Sequence, residues 1–292
     1  MIPARSRRSF LVTLVFALAG CRGSPDTAAK PRGPAKRVAS RTVFADEVLW
    51  ALGDEVQGRV VGLSPMADDP RYSTVAGRWP PSAPRLGRNP EELLALAPDL
   101  VILASFSAPE YRAAIEDKVP VLVLDDFSGF DGYLNNLERI GEATGAVDQA
   151  HALRDRFNAR RAELEALRPP QGERPSVIAW DYGYVPGAHT SFDDAATTAG
   201  FVNLPAREGL DGHQRLDAEQ LVAWAPEWIV VGCGEQPCAK AIAKLADEPG
   251  LGKLDAVTKG RVIAIEAPYL ATASEGMLEL AARMQAALLE AR

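Results

Sequence analysis

From residue 42 onward, short and almost wholly apolar runs alternate with stretches whose apolar positions recur at helical spacing. RVVGLS (59–64), DLVILAS (99–105) and VPVLVLD (119–125) read as strands in the first half, with VASRTVF a weaker one. PSVIAWDY (175–182), WIVVGC (228–233) and RVIAIEA (261–267) read as strands in the second half. Helical spacing fills ADEVLWALG (45–53), PEELLALA (90–97), APEYRAAIED (108–117), SFDDAATTAG (191–200), AEQLVAWA (218–225) and SEGMLELAARMQAALLEAR (274–292). This alternation predicts an α/β fold with mainly parallel strands. Runs without polar alternation, such as DLVILAS, suit sheets covered on both faces.

Between the halves, residues 130–168 carry no strand signal. AVDQAHALRDRFNARRAELEALR (146–168) has no internal Gly or Pro and stops at Pro169-Pro170, which predicts one rigid helix after a break near Gly145. The pattern therefore predicts two α/β lobes, 42–129 and 171–292, joined by a helical linker over 130–170. A single large doubly wound domain is the alternative.

One segment is written twice, as NPEELLALAPDL (89–100) and DAEQLVAWAPEW (217–228). Asn89 and Asp217 suit helix N-caps, and Pro90 follows where proline is tolerated. Glu92 and Gln220 stand at capping-box spacing. Leu93, Leu94 and Leu96 correspond to Leu221, Val222 and Trp224 on the face expected to meet a sheet, and Pro98 and Pro226 stop each helix. Glu91 and Glu219 are not required by this scheme, because the helix dipole rewards an acid there by only about a few tenths of a kcal/mol. Their alternative role is to meet basic residues of a partner from two exposed helix starts.

The ends change the picture. Arg5, Arg7 and Arg8 precede the apolar run FLVTLVFALA (10–19), and small residues follow. This describes a signal peptide over 1–20, too short for the roughly 20 apolar residues of a membrane span. The LAGC ending resembles a bacterial lipobox, which makes Cys21 the expected site of lipidation. Residues 21–41, rich in Pro, Gly, Ala and basic side chains, read as a flexible tether. All but one of the 39 acidic residues lie beyond residue 41, so the folded part carries no basic footprint for nucleic acid. With Cys21 assigned to lipid, Cys233 and Cys238 remain. In an oxidising compartment they read as a local disulfide, with a soft-metal or redox pair, or two free thiols, as alternatives. The chain has three histidines and no CxxC, which gives a closed zinc site poor support. GxGxxG after a strand, a P-loop, GxSxG and HExxH are all absent, and no enzyme is expected.

ADEVLWALG with RVVGLSP, GRNPEELLALAPDLVILAS, the helical linker, GAHTSFDDAATTAGFVNL, LDAEQLVAWAPEWIVV and LDAVTKGRVIAIEA with its terminal helix are weak signals singly. In this order and spacing they resemble the periplasmic binding proteins of ABC importers for iron-siderophores, haem and cobalamin, over essentially all of 38–292. The resemblance implies two Rossmann-like lobes with mainly parallel sheets, joined by a single long backbone helix, with the ligand in the cleft between them. It implies docking of Glu91 and Glu219 against arginines of the transmembrane permease. It also implies a monomeric lipoprotein at the periplasm or cell surface that carries a small metal chelate and needs no cofactor of its own. A receptor for a bare metal ion, or a lipoprotein receptor without a transport role, is the alternative.

Ligands of open α/β sheets lie beyond the carboxyl ends of strands. The long loop 66–87 there supplies Tyr72, Trp79, Arg71, Arg78 and Arg85, and later strand ends supply Phe106, Tyr182, Tyr184 and Tyr269. Aromatics of this kind suit a large flat ligand, and arginines suit carboxylates or phosphate. Trp180 lies inside a strand and is expected in the core. His189 and His213 fall in loops and are expected as surface or turn histidines, with reach to a chelated metal as the alternative, whereas His151 lies on the linker helix and is expected to be structural or solvated.

Overall fold

Four parallel strands build each of two sheets in the computed structural model, which describes residues 33–181, 183–234 and 237–291. The first contains β1 (Val38–Ser40), β2 (Val60–Gly62), β3 (Leu100–Ala104) and β4 (Val121–Leu124) in the order β2-β1-β3-β4. The second contains β5 (Ser176–Ala179), β7 (Val202–Asn203), β9 (Trp228–Cys233) and β10 (Val262–Glu266) in the order β10-β9-β5-β7. In each, the first strand in sequence lies between the second and third, and the fourth lies outside the third. The two sheets thus share one topology. Between β5 and β7 the chain forms β6 (Tyr184–Pro186), which pairs antiparallel with β8 (His213–Arg215). Every residue of β3 and of β5 is buried, as expected of strands covered on both faces.

The first sheet is accompanied by α1 (Val43–Ala51), α2 (Asp54–Gln57), α3 (Pro90–Ala95) and α4 (Pro109–Ala113). The chain then runs through α5 (Phe130–Thr144) and α6 (Val147–Ala166) into the second sheet. There it adds α7 (Ser191–Ala199), α8 (Leu204–Arg207), α9 (Ala218–Trp224), α10 (Cys238–Asp247), α11 (Asp255–Thr258), α12 (Ala267–Ala271) and α13 (Gly276–Glu290). The break between α5 and α6 falls on Gly145, whose φ of 70° lies in the left-handed region and whose missing Cβ leaves room for the ring of Pro34. Along α6, Ala150, Leu153, Phe157 and Leu164 are buried at a spacing of three, four and seven residues. One apolar stripe on an otherwise charged helix is what sets its packed face.

The largest buried cluster does not stop at either sheet. It includes Leu49 and Ile102 from the first half, Phe130 and Phe157 from the linker helices, and Phe201, Trp228 and Met277 from the second. Polar contacts follow the same path. Asp194 of α7 accepts from the backbone N–H of Phe130 at 2.7 Å, capping α5 from the other half of the chain. The Gln285 amide of α13 donates to the Leu164 carbonyl at 2.8 Å.

Several expectations are corrected here. The stretch read as tether up to residue 41 already holds β1, because Ala35 bonds to Ala143 and Asp99 accepts from the N–H groups of Lys36 and Arg37. VASRTVF divides into that strand and the start of α1. The capping box at Asn89 does not close: Asn89 accepts from Glu91 N, and the Glu92 carboxylate accepts from Gly87 N instead. Asp217 does cap its helix, accepting from Gln220 N at 2.7 Å. In both copies an alanine in the left-handed region, Ala97 or Ala225, ends the helix before the proline. The acid after each proline then clips the start of its lobe's first strand. Asp99 takes the N–H groups ahead of β1, and Glu227 takes Ser176 N and Oγ at the start of β5.

Candidate functional site

A strand order of 2-1-3-4 reverses direction at its first strand, and the crevice beyond the carboxyl ends at that point is where such sheets hold ligands. The first sheet has a cleft of about 270 Å³ there. The turn after β1 supplies Arg41 and Thr42, and α1 supplies Phe44 and Glu47. The segment after β2 supplies Ser64, Met66 and Tyr72. Phe106 follows β3 and Phe127 follows β4. The opposite wall is Ala271 at the end of α12 with Thr272 and Ala273 after it, so the cleft lies between the two halves.

The walls are apolar and unusually open. Phe106 is 74% exposed, Tyr72 44% and Met66 43%, although large apolar side chains ordinarily seek cover. Phe127 links Phe106 to the helix wall, packing against Phe106 at 5.1 Å and Phe44 at 5.5 Å between ring centroids. The floor is polar and tied across the halves. Glu47 is only 4% exposed. Its carboxylate accepts from Thr74 N and Oγ1, both at 2.7 Å, and from Thr272 Oγ1 at 3.0 Å. Thr272 in turn meets Ser274 at 2.9 Å. Glu275 lies close by, and burial raises its pKa, with Arg156 opposing and Glu47 reinforcing the shift. Behind Glu47, Asp46 is fully buried and holds Ser64 Oγ and N. Burial pushes its carboxyl up to about 7, against the hydrogen bonds from Ser64 and Ser40.

Of the residues singled out in the sequence, Tyr72 and Phe106 stand in the cleft. Trp79 does not. It is 4% exposed in the main core and meets Trp50 edge to face at 5.1 Å. Arg71 pairs with Asp69 at 2.6 Å beside Tyr72. Arg85 pairs with Asp68 at 2.7 Å and also bonds to loop carbonyls, so it holds the 66–87 loop to itself. Arg78 is exposed and outside the lining, and its charge is felt by Glu275. Tyr184 is exposed on β6 and accepts from Arg215 Nε at 2.9 Å, away from the cleft lining. Tyr269 of α12 lies under Arg283, next to the wall but outside it. Trp180 is core, against a small cavity of about 20 Å³. Tyr182 and Cys21 lie outside the described residues.

His189 is exposed and its Nδ1 meets Asp211 at 2.7 Å, which raises its pKa through that hydrogen bond and charge. His151 and His213 are exposed as well. Among the described residues no three His, Cys, Asp or Glu side chains come together to hold a metal ion. Cys233 and Cys238 are joined by a disulfide that ties the end of β9 to the start of α10. Glu91 and Glu219 are both exposed in the first turns of α3 and α9.

The sequence reading missed Arg41, Phe44, Glu47, Phe127 and Thr272. Arg41 and Phe127 follow β1 and β4, where the general rule on strand ends could have found them, and Phe44 and Glu47 lie in the first turns of the helix that β1 feeds. Reading VASRTVF as one strand hid the turn that carries Arg41. Thr272 becomes visible only when the second half folds back over the first.

No helix among the described residues is long and apolar enough to cross a membrane. No curated protein matches the chain. Solved structures do. A possible iron-binding, periplasmic solute-binding protein from Staphylococcus epidermidis aligns with a TM-score of 0.73 at 18% identity, over 87% of this chain and 98% of that one. The periplasmic haem-binding protein RhuT from Roseiflexus sp. RS-1 gives 0.70 at 23% identity, over 87% and 99%. The periplasmic vitamin B12-binding protein BtuF of Vibrio cholerae gives 0.65 at 20% identity, over 88% and 98%. At these identities the likeness shows the fold. The sequence itself matches the family described as periplasmic binding protein over residues 38–269. By that match, which runs through both halves, the chain belongs to the periplasmic binding protein family, whose members bind solutes and are not enzymes.

Proposed function

We propose that this protein captures an iron-siderophore, haem-type or corrinoid chelate and delivers it to the permease of an ABC importer. The observation that carries the reading is the group of exposed apolar side chains, Phe106, Tyr72 and Met66, at the mouth of a cleft with few metal-ligating groups. Such walls gain free energy by covering a large flat ligand, through area and stacking. A bare cation would want several converging carboxylates and imidazoles. Here Glu47 already has both oxygens engaged. The structures of RhuT and BtuF belong to proteins named for binding haem and vitamin B12, which agrees with this choice of ligands.

Delivery to a permease rests on Glu91 and Glu219, exposed at equivalent helix starts, one in each half. Attachment to the membrane rests on Cys21 in its LAGC setting, with the chain acting as a monomer. The test is native mass spectrometry and absorbance of the purified protein with haemin, cyanocobalamin and ferrioxamine B. A one-to-one complex with at least one of them is expected. Binding of ferric or zinc ions alone, with none of the three chelates, would overturn the reading.

A further inference from the structure

We propose that Glu47 is the positioning residue of the cleft. Its one carboxylate fixes the loop that carries Tyr72 against the second-half wall at Thr272, and so governs how long a bound solute is retained. The inference concerns the cleft itself and holds whichever solute fills it.

Glu47 projects from α1, a helix anchored in the core through Phe44, Ala45, Val48 and Leu49. The two surfaces that meet it are held less firmly. The wall at Ala271, Thr272 and Ala273 leaves α12, a helix with no buried residue. On the other side Tyr72 stands exposed in its loop, two residues before Thr74. Segments with few buried contacts open most easily, so polar ties decide where these walls stand.

One carboxylate supplies those ties. Glu47 Oε1 accepts from Thr74 N and Oγ1, both at 2.7 Å, and Oε2 accepts from Thr272 Oγ1 at 3.0 Å. A carboxylate only accepts, so Thr272 gives its single hydroxyl proton to Glu47. Ser274 must then be the donor in its 2.9 Å contact with Thr272 Oγ1, which also accepts from Ser274 N at 3.0 Å. Gly276 N in turn donates to Ser274 Oγ at 3.5 Å. A chain of hydrogen bonds thus runs from the first residue of α13 to Glu47, its terminal acceptor. Glu47 is buried, so loss of either threonine leaves part of its desolvation unmatched.

Shape agrees with this polarity. A Cβ at Gly276 would lie 2.9 Å from Thr272 Cγ2 and 3.2 Å from Thr74 Cγ2. Glycine is what lets the start of α13 come this close to both threonines. Loop, wall and helix therefore meet at one point beneath the cleft, and Glu47 holds them there.

The test combines hydrogen exchange of the ligand-free protein, read by mass spectrometry, with stopped-flow dissociation of haemin, cyanocobalamin or ferrioxamine B. Thr272→Val keeps the shape and removes the donor. It should speed exchange in 270–276 and accelerate dissociation at least about tenfold, with association changed far less. Thr272→Ser should behave as the wild type. Gly276→Ala leaves every hydrogen-bonding group in place, and should speed exchange in both 270–276 and 66–87. Glu47→Ala should loosen both segments together, and Glu47→Gln, which keeps one acceptor oxygen, only in part. Should Glu47→Ala not fold, the threonine and glycine variants decide alone. Unchanged local exchange in Thr272→Val overturns the inference. So does a lower melting temperature with dissociation unchanged, which would make Glu47 a structural brace and no more. If none of the three solutes binds the wild type, the chelate reading falls, and the exchange pattern alone decides the role of Glu47.

Discussion

Asp46 shows what the floor of the cleft costs the protein. Its carboxyl has no exposure and no cation beside it, and burial raises its pKa from the ordinary 3.8 to about 7. Between about pH 4 and pH 7 the folded protein therefore keeps a proton that the unfolded chain releases. Its contribution to stability is fully present below pH 4, falls as pH rises through 7, and is flat above about pH 8. The full span is on the order of 4 kcal/mol, at 1.36 kcal/mol per pH unit. An amide can still accept from Ser64 without ionising. Asp46→Asn should therefore match the wild type near pH 4 and exceed it in stability near pH 8. Urea denaturation of both proteins across this range measures the difference, and parallel curves would contradict it. At the same scale, composition could name Tyr72 and Trp79 as cleft candidates but could not separate them. Seven residues apart in one loop, Tyr72 is exposed at the cleft while Trp79 closes on Trp50 in the core. That outcome depends on where the loop folds, which periodicity does not record.

The repeated helix–strand unit joins a structural acid to an exposed one in each lobe. Asp99 and Glu227 hold backbone N–H groups at the start of β1 and β5, whereas Glu91 and Glu219 make no side-chain hydrogen bond or ion pair among the described residues. Asp99→Ala and Glu227→Ala should each destabilise the protein by about 1–2 kcal/mol, the range for a charge-assisted bond discounted for its exposure. Glu91→Ala and Glu219→Ala should stay within about 0.5 kcal/mol, since only the helix dipole is lost. The Glu91→Ala/Glu219→Ala double variant should nevertheless lose affinity for the permease with ligand binding intact. Denaturation midpoints and permease co-sedimentation read the two effects separately. Elements of this kind were legible because an apolar run bounded by a cap and a proline admits few conformations. WIVVGC coincides with β9 to the residue. β7 has only two residues, too few for a periodic window, whereas α10 starts at the second cysteine, so the disulfide loop masked its onset.

At the level of the whole molecule, two sheets of identical order suggest two independent lobes, but the packing between them says otherwise. The main buried cluster runs from Leu49 through Phe130 and Phe157 to Phe201 and Met277. Gln285 bonds to Leu164 across it, Asp194 caps α5, and Glu47 holds Thr272. Separating the lobes would expose this core, take from Glu47 its Thr272 donor and from Asp194 its Phe130 donor, and so disfavour either lobe alone. Thermal unfolding should accordingly be one cooperative transition, with calorimetric and van't Hoff enthalpies in agreement, although chains of this length often unfold in steps. Ligand should shift that single transition upward by mass action, by about 2.7 kcal/mol at a hundredfold excess over Kd. Two resolved transitions, with ligand moving only one of them, would show that the lobes fold separately and that the cleft is assembled by docking. A single transition that moves as a whole would show that the cleft is built into one continuous core, where ligand capture and global stability are coupled.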